Sequence, residues 1–233
     1  MEGGYPPEIR ARLERDAKDI IGRYPKPRSA LLPLLHLVQA EEGYVSESGQ
    51  EFCAEMLGLS KAEVVGVSTF YTMYKRNPAG DYHVGVCINA MCAVMGGDQI
   101  WDELTEHLGV GHEETTADGK VSLERLECNA ACDFAPVMMV NWEFFDNQTP
   151  DSAKRLVDDL REGRIPAPTR GPGRLCTFKE ASRVLAGMPD ELAPEGPSAV
   201  GPSLAGLKVA RDKGWTAPAV EEPAAEDGRE DAE

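Results

Sequence analysis

The sequence predicts an α+β or α/β protein in three parts. These are a small N-terminal helical bundle over residues 1–77, an α/β domain over 78–165, and an extended or disordered Pro/Gly-rich acidic tail over 166–233. Three observations predict this division. Apolar residues recur at helical spacing through the first part, with Gly and Pro marking each stop. The turn signal Asn77-Pro78-Ala79-Gly80-Asp81 is followed by strand-like runs. Nine of the seventeen prolines lie after residue 165, and the last thirteen residues carry seven acids and one Arg, a composition that resists packing.

Taken in order, Glu8–Tyr24 reads as an amphipathic helix with Ile9, Leu13, Ala17, Ile20 and Ile21 on one face, stopped by Pro25 and Pro27. Ser29 can cap a second helix through about Glu42, with Pro33 near its first turn, where a missing donor costs least. Ser46 can cap a third, carrying Phe52, Cys53, Met56 and Leu57 and ending at Gly58. Ser60-Lys-Ala-Glu63 is a capping box opening a fourth through about Phe70. After the turn, Tyr82–Cys87 alternates like a strand and Asp98–Leu108 reads as a helix. Residues 109–120 read as a loop, Val121–Glu127 as a second strand, and Val137–Trp142 and Glu143–Asp146 as a strand pair. Thr149 can cap a last helix, Pro150–Glu162, with Pro at its first position. The order β-α-β-β-(β)-α suggests a thioredoxin-like α/β domain. In the tail, Phe178, Leu185, Leu204, Leu207 and Trp215 are scattered, and a mostly solvated segment is the expectation.

Composition bounds the function. The chain has 233 residues and a formal net charge of −16, from 40 acidic and 24 basic residues. So acidic a chain does not suit nucleic acid, whose phosphates need clustered Lys and Arg, nor an anionic membrane surface. The apolar stretch Leu31–Val38 is far short of the roughly 20 residues that span a bilayer. The N-terminus lacks the basic start and apolar stretch of a signal peptide, so a cytoplasmic, reducing compartment and no direct membrane insertion are expected. There, clustered cysteines bind metal or do redox work more often than they form disulfides.

Four cysteines are so clustered. Cys87 and Cys92 form C-x4-C, Cys128 and Cys132 form C-x3-C, and 35 residues separate the pairs. Each pair follows an expected strand, so both loops can meet at one sheet edge. A [2Fe–2S] cluster needs two thiolates on each iron, and loops of this size can supply two each. Ala90, Ala93, Ala130, Ala131 and Gly96-Gly97 leave room for backbone to approach inorganic sulfide. Structural zinc also accepts four thiolates, and spacing alone puts the cluster only slightly ahead of it. Thiol–disulfide exchange favours C-x-x-C, which neither pair matches. Cys53, on a helical apolar face, is expected in the core, and Cys176 as a free thiol. His36, His83, His107 and His112 are scattered, and His36 is expected to be a helix residue with an ordinary partner. A cis bond before Pro136 is a further expectation. Phe70-Tyr71-Thr72-Met73-Tyr74 suits either a partner surface or packing between domains. There is no G-x-G-x-x-G or P-loop, so the sequence offers no recognisable nucleotide-phosphate loop.

Residues 8 to 165, roughly two thirds of the chain, resemble the family of E-type subunits of NADH-quinone oxidoreductase (respiratory complex I), which are thioredoxin-like [2Fe–2S] ferredoxins. The matching segments are Leu31–Ser46, Ser68–Asn77 (STFYTMYKRN), Tyr82–Cys92 (YHVGVCINAMC) and Leu126–Val140 (LECNAACDFAPVMMV). The resemblance implies that Cys87, Cys92, Cys128 and Cys132 are the ligands of one cluster and that no residue of this chain is catalytic by itself. It implies an electron carrier in the peripheral arm, on the cytoplasmic side of the cell membrane. Its partners would be a subunit of the F type, holding NADH, FMN and a [4Fe–4S] cluster, and a neighbouring iron–sulfur subunit. The cluster would exchange electrons with that FMN, in a complex coupled to proton pumping. Acidic surroundings disfavour an added electron, so a low reduction potential is expected. Two other readings stay open: the equivalent subunit of an NAD-linked hydrogenase or formate dehydrogenase, and a zinc-stabilised interaction module. Asn129-Ala130 departs from the Leu-Gly that family members often carry, and the tail lies outside the shared pattern.

Overall fold

The computed structural model describes residues 4–192, 195–196 and 198–217. The described chain falls into two units, Met1–Ser198 and Ala199–Glu233. The first opens with four helices: α1 (Pro7–Ile21), α2 (Leu31–Glu42, entered by a 3-10 turn at Pro27–Ala30), α3 (Glu47–Leu57) and α4 (Lys61–Phe70). Most of their ends are set as the sequence expects. The exceptions are α1, which stops at Gly22 ahead of Pro25, and α2, which starts after Ala30 with no side-chain cap because Ser29 lies within the 3-10 turn. Ser46 Oγ accepts from the Gly49 N–H, Gly43 and Gly58 close α2 and α3 in left-handed geometry, and the Ser60/Glu63 capping box is formed. Leu13, Ile20, Leu34, Leu35, Val38, Phe52 and Cys53 fill the core between these helices.

Downstream, a five-stranded sheet is built from β1 (Tyr82–Cys87), β2 (Glu114–Thr115), β3 (Val121–Leu126), β4 (Met138–Val140) and β5 (Glu143–Phe145), in the order β2-β3-β1-β4-β5. Strands β1 and β3 are parallel and in step, with Cys87 opposite Leu126, and the other pairings are antiparallel. Three helices accompany the sheet: α5 (Ala90–Val94), α6 (Gly97–Leu108) and α7 (Pro150–Arg161). Ile100, Trp101 and Leu104 of α6 and Ala153, Leu156, Val157 and Leu160 of α7 pack with Val84, Val86, Leu123 and Met138. Two elements differ from expectation. β2 lies inside the expected loop 109–120; two residues carry no period to read. The loop of the first cysteine pair holds a single helical turn, α5, capped by Asn89 Oδ1, which accepts from the Ala90 N–H at 2.9 Å.

The larger correction concerns residues 166–192, which the sequence places in a solvated tail. They strap the sheet to the helices, and helix α8 (Phe178–Leu185) packs along α2. Phe178 is only 1% exposed, with its ring 5.4 Å from Trp142 and 6.0 Å from His83. Asn141 Nδ2 donates to the Cys176 carbonyl at 2.8 Å, and Gln39 Nε2 donates to Ser182 Oγ at 3.3 Å. Arg170 pairs with Asp146 at 2.9 Å, both nearly buried, and lies 3.6 Å over the Phe144 ring. The apolar residues here are spaced among Pro and Gly, so no periodicity betrays them. The capping box Thr177-Phe-Lys-Glu180 was a legible sign of α8. In the second unit, α9 (Ala205–Asp212) leaves Leu204, Leu207 and Trp215 exposed. The acidic stretch 221–233 lies outside the described residues. Among the described residues no helix is long and apolar enough to cross a membrane.

Burial and charged neighbours decide the protonation of three polar groups. His36 is buried in the helical core with its ring 4.8 Å from Tyr74 and no partner on Nδ1, and burial lowers it to about 4. His83 is pushed down by burial, against the pull of Glu124. Burial would raise Glu124, but contacts with His83 and Lys75 outweigh it and hold the carboxyl at about 2. With His83 neutral, the charge partner of Glu124 is Lys75, and the imidazole serves as a hydrogen-bonding neighbour. Both histidines titrate lower folded than unfolded, so the unfolded chain takes up the proton first as pH falls. Their stabilising effect is therefore complete above about pH 6.5 and lost below it, and Glu124 adds a further loss from about 4.5 downward. Between pH 7 and pH 5 the His36 share is about 2 kcal/mol. In urea unfolding, wild type should lose that much more over this interval than His36→Gln, and equal losses would refute the assignment.

Candidate metal centre

The parallel pairing of β1 and β3 brings the two cysteine loops together. Cys87 is the last residue of β1, Cys128 lies two residues beyond β3, and the register aligns the two strand ends. The Ile88 N–H donates to the Leu126 carbonyl at 3.0 Å, which extends the pairing into the loops. The second loop then turns back through Ala130, whose φ of 51° is left-handed, into a 3-10 turn at Cys132–Phe134 and a cis Ala135–Pro136 bond. From there β4 pairs with the other side of β1, and the Cys87 N–H donates to the Val137 carbonyl at 3.1 Å.

All four expected cysteines, Cys87, Cys92, Cys128 and Cys132, line one small cavity with Asn89, Met91, Asn129, Ala131 and Val137. Cys87 and Cys92 are 3% exposed, whereas Cys128 and Cys132 reach solvent, so the site has a dry inner side and an open outer side. Burial pushes the Cys92 thiol up to about 11, with Cys87 and Cys132 adding to the rise. Cys132 is raised too, by desolvation and then by Cys128. Burial and the neighbouring sulfurs thus disfavour the ionised forms of Cys92 and Cys132, and a cationic iron or zinc centre removes that penalty. No group of three His, Cys, Asp or Glu side chains among the described residues converges on a single ion position. A two-iron centre does not require one, because each iron takes two thiolates.

The backbone around the cavity suits sulfur. The Ala130 N–H donates to Cys128 Sγ at 3.4 Å, and the Cys87 thiol, while protonated, donates to the Glu127 carbonyl at 3.1 Å. Gly97 opens α6 directly beneath the first loop. A Cβ there would stand 2.6 Å from the Cys87 carbonyl oxygen and 2.9 Å from that of Cys92. Gly97→Ala should therefore cost about 1–3 kcal/mol by overpacking and spread the Cys87–Cys92 loop. The expected result is a lower urea midpoint with less bound metal. Gly66→Ala, in open space on α4, should leave both unchanged or slightly improved. A normal metal content in Gly97→Ala would show that the loop tolerates the displacement.

The remaining expected residues lie away from this cavity. Cys53 is buried in the helical core, and Cys176 is a free thiol held near Arg174 and Asp190. The Phe70–Tyr74 segment divides: Phe70 and Tyr71 are exposed, while Tyr74 is buried with its hydroxyl donating to the Leu32 carbonyl at 2.9 Å. Thr72 and Met73 reach a cleft of about 590 Å³ that extends to Cys128 and Asn129. Two supports of the second loop come from residues distant in sequence and carry no local signal. Arg170 lies 5.0 Å over the ring of Phe134, and the Asn147 N–H donates to the Phe134 carbonyl at 2.8 Å.

The sequence model of the thioredoxin-like [2Fe–2S] ferredoxin family matches residues 17–161. The E-type subunit of NADH-quinone oxidoreductase from Mycobacterium tuberculosis is 63% identical over 215 residues, 92% of this chain and 85% of that protein. NADH-quinone oxidoreductase subunit 2 of Thermus thermophilus is 37% identical over 160 residues, 67% of this chain and 88% of that one. Among solved structures, an NAD+-reducing [NiFe]-hydrogenase in the air-oxidized state aligns with a TM-score of 0.52 at 17% identity. It covers 60% of this chain and 26% of its own, a likeness of fold alone. With its two-loop thiol site and these matches, the chain belongs to the thioredoxin-like [2Fe–2S] ferredoxin family, in the branch formed by the E-type subunits of NADH-quinone oxidoreductase.

Proposed function

We propose that Cys87, Cys92, Cys128 and Cys132 hold one [2Fe–2S] cluster and that the chain works as the electron-carrying E-type subunit of NADH-quinone oxidoreductase. The observation that carries this reading is the cavity that four thiols share between two loops anchored at adjacent strand ends. The bound cluster supplies reversible one-electron storage. The chain's own residues do the rest. The β1 and β3 ends fix the loops, and buried Cys87, Cys92 and Val137 keep water from the inner side. The Ala130 N–H offers a donor to sulfur. On the open side Cys128 and Cys132 reach solvent, and Met91, which lines the cavity with them, is exposed together with Val94 and Met95 at the end of α5, an apolar surface on which an electron partner can close over the site.

That partner, in our reading, is the F-type subunit holding FMN and NADH, since this sequence carries no nucleotide-phosphate loop of its own. A neighbouring iron–sulfur subunit completes the contacts, and the assembly sits peripherally on the cytoplasmic side of the membrane. The relatives from NADH-quinone oxidoreductase support this assembly over the hydrogenase type, to which the likeness is one of fold. Purification of the tagged full-length chain from its own host in mild detergent tests it. The expected co-purifying material contains FMN and reduces quinone with NADH. Nickel with hydrogen-dependent NAD reduction, or formate-dependent NAD reduction, would assign the chain to the other assembly.

A further inference from the structure

The side-chain amide of Asn129 is a polar group whose surroundings supply no ordinary partner. Its Nδ2 is shut off from solvent and makes no hydrogen bond. The residue follows Cys128 and lines the cavity that the four cysteines share. A buried amide donor without a partner is unfavourable, so a native site normally provides an acceptor. In the cavity lining, the side-chain oxygen of Asn89 already accepts from the Ala90 N–H, and Met91, Ala131 and Val137 offer no strong side-chain acceptor. Among the side chains of this lining, that leaves the cysteine sulfurs as acceptors. Turning the amide over would aim its oxygen at electron-rich thiolates, so the nitrogen belongs inward. The neighbouring Ala130 N–H already points to Cys128 Sγ.

We propose that Asn129 Nδ2 donates a hydrogen bond to a sulfur of the metal centre and thereby makes the centre easier to reduce. The inference rests on the proposed [2Fe–2S] cluster and deepens that reading. Reduction adds negative charge to a site already ringed by thiolates, and a donor aimed at sulfur favours the more negative state. Asn129 is thus set against the acidic composition of the chain, which works in the opposite direction. A Leu at this position has no donor to give.

The test is an EPR-monitored redox titration of the anaerobically purified full-length chain beside Asn129→Leu. Proton ENDOR before and after exchange into deuterium oxide accompanies it. The variant should be about tenfold harder to reduce, about 59 mV lower for one electron. One strong exchangeable-proton coupling of the wild type should be missing. An unchanged potential or a retained coupling overturns the proposal. If the Leu variant does not retain its cluster, Asn129→Ala is read in the same way, and loss of the cluster in both overturns a tuning role. Wild-type protein without any iron–sulfur signal would instead overturn the cluster reading itself, so the two failures are distinct.

Discussion

Cys87→Ala should abolish the [2Fe–2S] cluster altogether, with iron, sulfide and the visible absorption all falling to background. Cys87 ends β1, is nearly buried, and faces the other three thiols across the shared cavity. No neighbouring side chain can replace its thiolate: Asn89, Met91 and Asn129 are neutral, and Ala131 and Val137 carry no ligand atom. The cluster would lose one of two thiolates on one iron, and with it the electron-carrying role. Cys53→Ala is the matched control. That thiol is buried in the helical core and raised by desolvation, so it behaves as a small apolar residue. Its variant should keep a full cluster. Iron and sulfide analysis of the two proteins checks the assignment, and a loaded Cys87→Ala protein would remove Cys87 from the ligand set.

Phe178→Ala should be the most damaging change outside the cysteine loops, at about 3–5 kcal/mol. The ring is 1% exposed and packs between Trp142 on the sheet side and α8 against α2 on the helical side. Truncation leaves a cavity where the two halves of the first unit are strapped together. The Phe178 N–H also donates to the Asp81 carbonyl at 2.7 Å, so the cavity opens beside the start of β1. The measurement is the urea midpoint of the full-length variant, with Phe178→Leu expected to lose far less because most of the volume is kept. A loss below about 1 kcal/mol in the Ala variant would mean that residues 166–192 contribute little to the fold.

Most elements up to residue 162, though not β2 or α5, were legible in the sequence for a physical reason. Ser46, Ser60 and Thr149 as caps, Gly43 and Gly58 as stops, and the alternation of Tyr82–Cys87 are local signals, and local signals survive in the native state. The candidate site was equally open to reading, because each cysteine pair follows a strand and the strands are long enough to recognise. What stayed hidden depends on contacts far apart in sequence. Parallel pairing of β1 with β3 could not be derived from either strand alone. The strap was missed because Phe178, Leu175 and Ala186 owe their burial to surfaces far away in sequence, not to a period of their own. Asn129 carries no local signal of its environment: only the folded loops show that it lines the cavity of the four thiols with its side-chain nitrogen shut off from solvent.

The most direct test of the central claim is the metal content and EPR spectrum of full-length protein purified without oxygen. The expected protein is reddish-brown, contains two irons and two acid-labile sulfides per chain, and gives the signal of a reduced [2Fe–2S] centre with dithionite. Colourless protein with one zinc per chain, bound by the same four thiols, would contradict it.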